Sequence, residues 1–305
     1  MKFGHLDDIT NIDFSLPPDH PMTVQILNEQ PVKKPKIYSG LAEWGNDGFP
    51  GKIYPKGTKP KDYLNFYAQQ FNSIEQNMTL YRIPTRKMVE DWVSIVPNGF
   101  IFCPKVSNPI VQVKPLGRNR AALTEFFDSM HAFGDHLGTV FMQVHPTFSP
   151  QRYDDLLNFF DLWDEMCTNG APLPLALELR HKDWFSNSEL LNTLFEEMRT
   201  RNIGTVITDT AGRRDAAHMC LTTTSAFIRF DGNELHPTDF TRLDAWAEHI
   251  KHWIDHGLQT VYCFYHTPTK SLTPEMSNHF LTRMNELCGL NLKLAIIESD
   301  FKLEL

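Results

Sequence analysis

A chain of 305 residues with 41% apolar and 22% charged side chains has room for one large α/β barrel or two ordinary domains, and its composition excludes a disordered polymer. A formal net charge of −8 argues against a general nucleic-acid coat, which would be basic, so nucleic acid is not an expected partner. No window approaches the roughly 18 apolar residues of a membrane span, and the first eight residues lack the apolar core of a signal peptide, so a cytoplasmic chain is expected.

Residues 1–35 carry Pro17, Pro18, Pro21, Pro31 and Pro35 with little periodicity and read as an irregular arm. A regular alternation then begins. Apolar runs predict strands at 37–42, 73–79, 100–105, 139–145, 175–180, 204–209, 225–230 and 259–265. Between them, apolar residues at helical spacing predict helices over 62–71, 85–96, 120–137, 153–167, 188–201, 243–256 and 274–287. His249, His252 and His256 share the sixth of these helices and are expected to face solvent. Residues 290–305 form a tail expected to pack on the body. The five cysteines, Cys103, Cys167, Cys220, Cys263 and Cys288, make no C-x-x-C pair and read as reduced thiols.

Continuously apolar strands separated by amphipathic helices indicate a parallel sheet buried on both faces. Eight such units over residues 36–289 predict a single-domain (β/α)8 barrel of the TIM type. An open doubly wound sheet is the alternative, but the first strand is not followed by the glycine fingerprint of a dinucleotide site.

In a barrel the site lies at the carboxyl ends of the strands. Those ends carry Glu75 and Asn77 with Tyr81 beyond, Lys105, Gln143 and His145, Glu178, Arg180 and His181, Asp209, Arg229 and Asp231, and His266. Residues two apart share a strand face, so Glu75/Asn77, Gln143/His145, Glu178/Arg180 and Arg229/Asp231 form pairs while His181 points away. Each has a structural alternative: Asp209 as a loop cap, Arg229 as a partner of Glu178, His145 as a core histidine. Together they suit a small polar or anionic ligand. Glu178 is the first candidate for acid–base chemistry, with Arg180 and Lys105 holding negative charge and Asp209 and Glu75 as second choices. Asn77, Tyr81, Gln143, His145, Arg229 and Asp231 are candidate substrate contacts. Trp44 and Trp184, just past strand ends, are candidates for an aromatic wall or for packing. The donor set would admit a divalent metal spread over several strands, but no H-x-H or H-E-x-x-H pair favours one, and no cofactor is identified.

The motifs Ser39-Gly-Leu-Ala-Glu-Trp44, Phe49-Pro-Gly-Lys-Ile-Tyr-Pro55 and Ile74-Glu-Gln-Asn-Met-Thr-Leu-Tyr-Arg-Ile-Pro84 resemble the opening of the domain of unknown function 72, or YecE-like, family. The likeness continues through Phe102-Cys-Pro-Lys105, Gln143, Leu177-Glu-Leu-Arg-His181, Asp209 and Ile228-Arg-Phe-Asp-Gly232. It implies a TIM-type barrel and no established activity. Tyr265-His266-Thr267 stands where the family has Phe-Asn-Asn, so no strand-eight role is carried to His266, and residues 1–35 have no counterpart. The expectation is an enzyme, a hydrolase or a lyase or isomerase, acting on a sugar- or phosphate-like substrate. A metal-dependent phosphodiester hydrolase and a non-catalytic ligand-binding or partner-docking barrel are the alternatives. Oligomeric state is not legible.

Overall fold

The structure is a computed structural model, and it describes residues 3–28, 30–168 and 170–298. Eight strands form one parallel sheet: β1 Lys36–Leu41, β2 Ser73–Gln76, β3 Ile101–Pro104, β4 Val140–Gln143, β5 Leu175–Glu178, β6 Gly204–Asp209, β7 Ser225–Asp231 and β8 Thr260–His266. Their order, β3-β2-β1-β8-β7-β6-β5-β4, places β3 and β4 at the two ends of the sheet. Isolated parallel bridges, Phe102 to Leu137 and Lys105 to Phe141, join those ends. Gly138 N donates to Phe102 O (2.8 Å) and Val106 N to Phe141 O (2.9 Å). The sheet is therefore a nearly closed barrel with helices between its strands, as the alternation predicts.

The pleat divides each strand into two phases. One phase packs outward on the helices. The other fills the barrel with Ile101, Phe141, Val206, Phe227, Tyr262 and Phe264. Continuing this inner phase toward the carboxyl ends reaches Lys105, Gln143, Glu178, Thr208, Arg229 and His266. The buried apolar layers end there, and polar groups take over.

Several elements differ from their predicted bounds. Strand β2 stops at Gln76 and the chain turns into a short helix, Met78–Tyr81, so Asn77 lies outside the sheet. The helix predicted from Leu243 begins earlier, at Pro237, because His236 accepts a hydrogen bond from Thr238 N and proline suits the first helical turn. His249 on that helix does not simply face solvent: its Nε2 lies 2.7 Å from Asp19 of the arm, and Trp253 Nε1 donates to the same carboxylate at 3.0 Å.

Among the described residues of 3–35 there is one short helix, Pro21–Ile26, and the others run irregularly over the barrel. Gly212 N donates to Gly4 O (2.7 Å) and Thr210 Oγ1 to Phe3 O (3.2 Å), so the start of the arm is tied to the loop after β6. At the other end, Ala295 N donates to Asn278 Oδ1 (2.8 Å) and Glu298 N to Lys52 O (2.9 Å). The remainder of the predicted tail, 299–305, lies outside the described residues. No helix among the described residues is long and apolar enough to cross a membrane.

Closure needs β1 to approach β2 tightly. A Cβ on Gly40 would sit 1.9 Å from Ser73 O, a backbone atom that cannot move without its strand. Gly40→Ala should lower unfolding stability by about 3 kcal/mol or more in urea titration. Gly45→Ala, where a Cβ meets nothing within 4 Å, should stay within about 0.5 kcal/mol.

Candidate functional site

A cavity of about 560 Å³ opens at the carboxyl rim, within the range that holds small ligands. Its wall includes Trp44, Asn77, Met78 and Tyr81, and deeper groups include Glu75, Lys105, Gln143, Arg180, Arg229 and His266. Glu43 and Lys270 pair across the lining at 2.8 Å.

Arg229 organises the floor. Its Nε and Nη2 donate to the two oxygens of Glu75 at 2.8 Å each, and Nη1 donates to Glu178 Oε2 at 2.7 Å. Glu75 also accepts from Asn77 Nδ2 (2.7 Å). His266 Nε2 lies 3.1 Å from Glu75 Oε2 and 3.2 Å from Arg229 Nη2, so a neutral ring either donates to the carboxylate or accepts from the guanidinium. Glu178 accepts from Gln143 Nε2 (2.6 Å), Arg180 Nε (3.0 Å) and Thr208 Oγ1 (3.1 Å) as well as Arg229. Glu178 thus has four donors, and Glu75 has three plus the His266 ring, whose role depends on its tautomer. Burial raises the carboxyl of Glu178, but Arg180, Arg229 and Lys105 outweigh it and hold the group down to about 2. Arg229 and His266 likewise outweigh burial at Glu75, well below the usual carboxylate range.

Lys105 differs from these groups. It is 5% exposed, and its Nζ donates to the neutral Gln143 Oε1 at 2.8 Å. No carboxylate among the described residues lies within 4.0 Å of it. Burial, then Arg229, push its amine down to about 7 against the opposing pull of Glu178 and Glu75, with Arg180 pushing the same way. Gln143 connects the two halves: its amide N–H faces the Glu178 carboxylate, which leaves its carbonyl for the lysine.

The arm reaches this site. The Phe3 ring lies 4.5 Å from the Arg180 guanidinium and 5.0 Å from that of Arg213, and Arg213 Nη1 donates to Arg180 O (2.7 Å).

The structure brings Glu75, Asn77, Tyr81, Lys105, Gln143, Arg180, Arg229 and Trp44 to one cavity. It places four other predicted site residues elsewhere. Asp209 follows inner-phase Thr208 and so points outward, where Arg242 Nη2 (2.9 Å), Arg214 and Trp246 Nε1 (2.7 Å) surround it. Trp184 is fully buried and donates to Phe148 O (2.7 Å), so it packs loops together and builds no wall. His145 lies beyond β4, exposed, with Nδ1 2.8 Å from Thr147 Oγ1. Asp231 is buried beside Thr210, whose one hydroxyl hydrogen is shared between Asp231 Oδ2 (3.3 Å) and Phe3 O (3.2 Å). Glu178 itself does not line the cavity; it lies behind Arg229, Arg180 and Gln143. The carboxylates predicted as acid–base groups are thus acceptors already saturated by cations and amides.

Sequence reasoning named His266 at the end of β8 but gave it no role, although its inner phase was a usable signal, and it missed Gln76. Gln76 is 2% exposed and lines the cavity, and neither its Nε2 nor its Oε1 has a hydrogen-bond partner. Such a closed-off amide calls for a buried water. No group of three or more His, Cys, Asp or Glu among the described residues is arranged to hold a metal ion.

Comparison with known proteins gives one consistent relationship. Residues 38–293 match the family model described as protein of unknown function DUF72. The UPF0759 protein YecE of Escherichia coli K12 is 29% identical over 259 residues, covering 79% of this chain and 89% of that protein. The UPF0759 protein YunF of Bacillus subtilis is 26% identical over 49% of this chain and 52% of its own. A crystal structure of a DUF72 family protein from Enterococcus faecalis superposes with a TM-score of 0.65 at 17% identity, covering 86% of this chain and 98% of that one.

Removing the shared cation tests the network. Arg229→Met strands two buried carboxylates and should cost about 3–5 kcal/mol. The depressed carboxyls of Glu75 and Glu178 contribute stability that is present above an unfolded value near 4.3 and is lost as pH falls through the folded value, about 2 for Glu178. Urea titrations should therefore show the native protein losing stability between about pH 4.5 and 2, and the variant losing less over that window.

Proposed function

Starting from the fact that this chain belongs to the DUF72 family, whose description assigns no reaction, we propose that it is an enzyme acting on a small organic anion held in the cavity at the barrel's carboxyl rim. The observation that carries this reading is the buried Lys105 amine, which has an amide but no carboxylate as its partner and opens into a cavity shared with two arginines. The charges of Arg180 and Arg229 are balanced by those of Glu75 and Glu178. Lys105 adds a further charge that depends on its protonation. When protonated, it leaves one positive charge for an anionic ligand to neutralise.

In this reading Glu178 is a scaffold. It fixes Arg229, Arg180 and the Gln143 amide, and Gln143 fixes the lysine. Lys105 takes the proton-transfer role, since a group near 7 exchanges protons at neutral pH whereas a carboxyl near 2 stays ionised. Asn77 orients polar parts of the ligand, while Trp44, Met78 and Tyr81, the last 77% exposed, offer an apolar mouth for its remainder. A metal-dependent hydrolysis gains no support from a floor whose carboxylate oxygens are engaged by Arg229.

A panel of sugar phosphates, hydroxy acids and oxo acids should contain members that raise the melting temperature. Their affinity should fall as pH rises through about 7, because the protonated amine is lost. Arg180→Ala should weaken binding at least tenfold, and Lys105→Met should abolish turnover while the protein stays folded. If Lys105→Met turns over the same compound at the native rate, the enzymatic role of this cavity is wrong. Ligand-induced stabilisation with no turnover of any compound would instead identify a binding barrel.

A further inference from the structure

We infer that Lys105 is a nucleophile that forms an imine with a carbonyl compound bearing a carboxylate, the simplest members of the class being 2-oxo acids. This rests on the anion-binding reading above and extends it to a covalent step.

Several observations converge on this lysine. Among the groups on the cavity floor it alone is an amine, and the other candidate nucleophiles are disabled. Glu178 accepts four hydrogen bonds and Glu75 at least three, in each case two or more of them from cations and amides that hold the carboxylate in place. Cys103, in the inner phase below, is fully buried and its thiol is pushed up by burial. Lys270, at the mouth, is paired with Glu43. An imine-forming lysine must be neutral at the moment of attack, and proteins achieve this by desolvation and by nearby cations. Both conditions hold at Lys105: it is buried, and Arg229 and Arg180 share its cavity while Glu178 and Glu75 are drawn toward those arginines. The amine's depressed value agrees. One N–H of the amine is held by Gln143 Oε1, which limits rotation, and the lysine lines the cavity.

The arginines also fit the other half of the substrate. Guanidinium groups recognise carboxylates, and here two of them line the cavity that contains the amine. The chemistry balances without an added oxidant or reductant. The neutral Nζ adds to the carbonyl carbon, forming the N–C bond, and the carbonyl π pair moves to oxygen. A proton passes from nitrogen to that oxygen to give the carbinolamine. Uptake of one further proton from the open mouth breaks the C–O bond and releases water. The product is a protonated imine, an electron sink for bond cleavage or proton loss at the adjacent carbon.

The test uses the full-length protein with pyruvate and, separately, glyoxylate as probes, in the presence of cyanoborohydride, followed by peptide mapping. The expected result is a single reduced adduct on Lys105, formed at least tenfold faster than on any exposed lysine. Prior unfolding should erase that preference. Arg180→Ala should slow labelling of Lys105 at least tenfold and leave the exposed lysines unaffected. Labelling spread over exposed lysines with Lys105 unmodified would overturn the proposal. So would a melting-temperature increase with pyruvate but no adduct at Lys105, an outcome that leaves the anion site standing and removes only the covalent step. If no organic anion stabilises the protein and no adduct forms, both readings fall.

Discussion

The bridge that Arg229 makes between Glu75 and Glu178 is the constraint on which the carboxyl end of this barrel depends. The three side chains come from β7, β2 and β5, so the bridge spans the barrel interior from well-separated strands. None is more than 3% exposed, and an ion taken so far from water must have its charge and hydrogen-bonding capacity met by protein. Asn77, Gln143, Thr208 and Arg180 supply the remaining donors. The apolar fill beneath can end in a polar layer because that layer satisfies itself. The cavity above inherits a floor whose geometry is fixed before any ligand arrives, the condition under which electrostatic groups act most strongly on a bound molecule.

Within this layer the chemistry is distributed unevenly. The carboxylates are locked as anions, the guanidinium of Arg229 is locked as a cation, and the Lys105 amine is pushed down to about 7. Gln143 separates the locked part from the adjustable part. An amide has a donor end and an acceptor end, so it can answer a carboxylate on one side and an amine on the other without carrying charge itself. A carboxylate in its place would pair the lysine and hold it protonated.

The barrel was legible because parallel strands buried on both faces appear as apolar runs, and eight of them alternate with helical spacing. The same property hid part of the site. When both faces of a strand are apolar, the pattern does not say which phase enters the barrel and which meets the helices. Asp209 therefore resembled a rim residue like its neighbours, although it belongs to the outer phase and is held by Arg242 and Trp246. His266 was given no role because it departs from the family's asparagine, yet β8 extends through it and carries the ring inward. Trp44 and Trp184 both follow strand ends, and only loop geometry separates the one that lines the cavity from the one that packs beneath it. The early end of β2 was invisible because Asn77-Met78-Thr79 continues the alternation while the backbone turns helical.

The arm gives the site a divided inheritance. The family match begins at residue 38, yet the ring of Phe3 stacks on Arg180, a cavity residue from inside that match. One wall of a key cation thus belongs to a segment that the barrel's strand register does not constrain. Changes in that segment shift no strand and break no closure. A lineage carrying such an arm could retune how Arg180 is presented by altering a few residues at one end of the chain, leaving the costly interior network untouched.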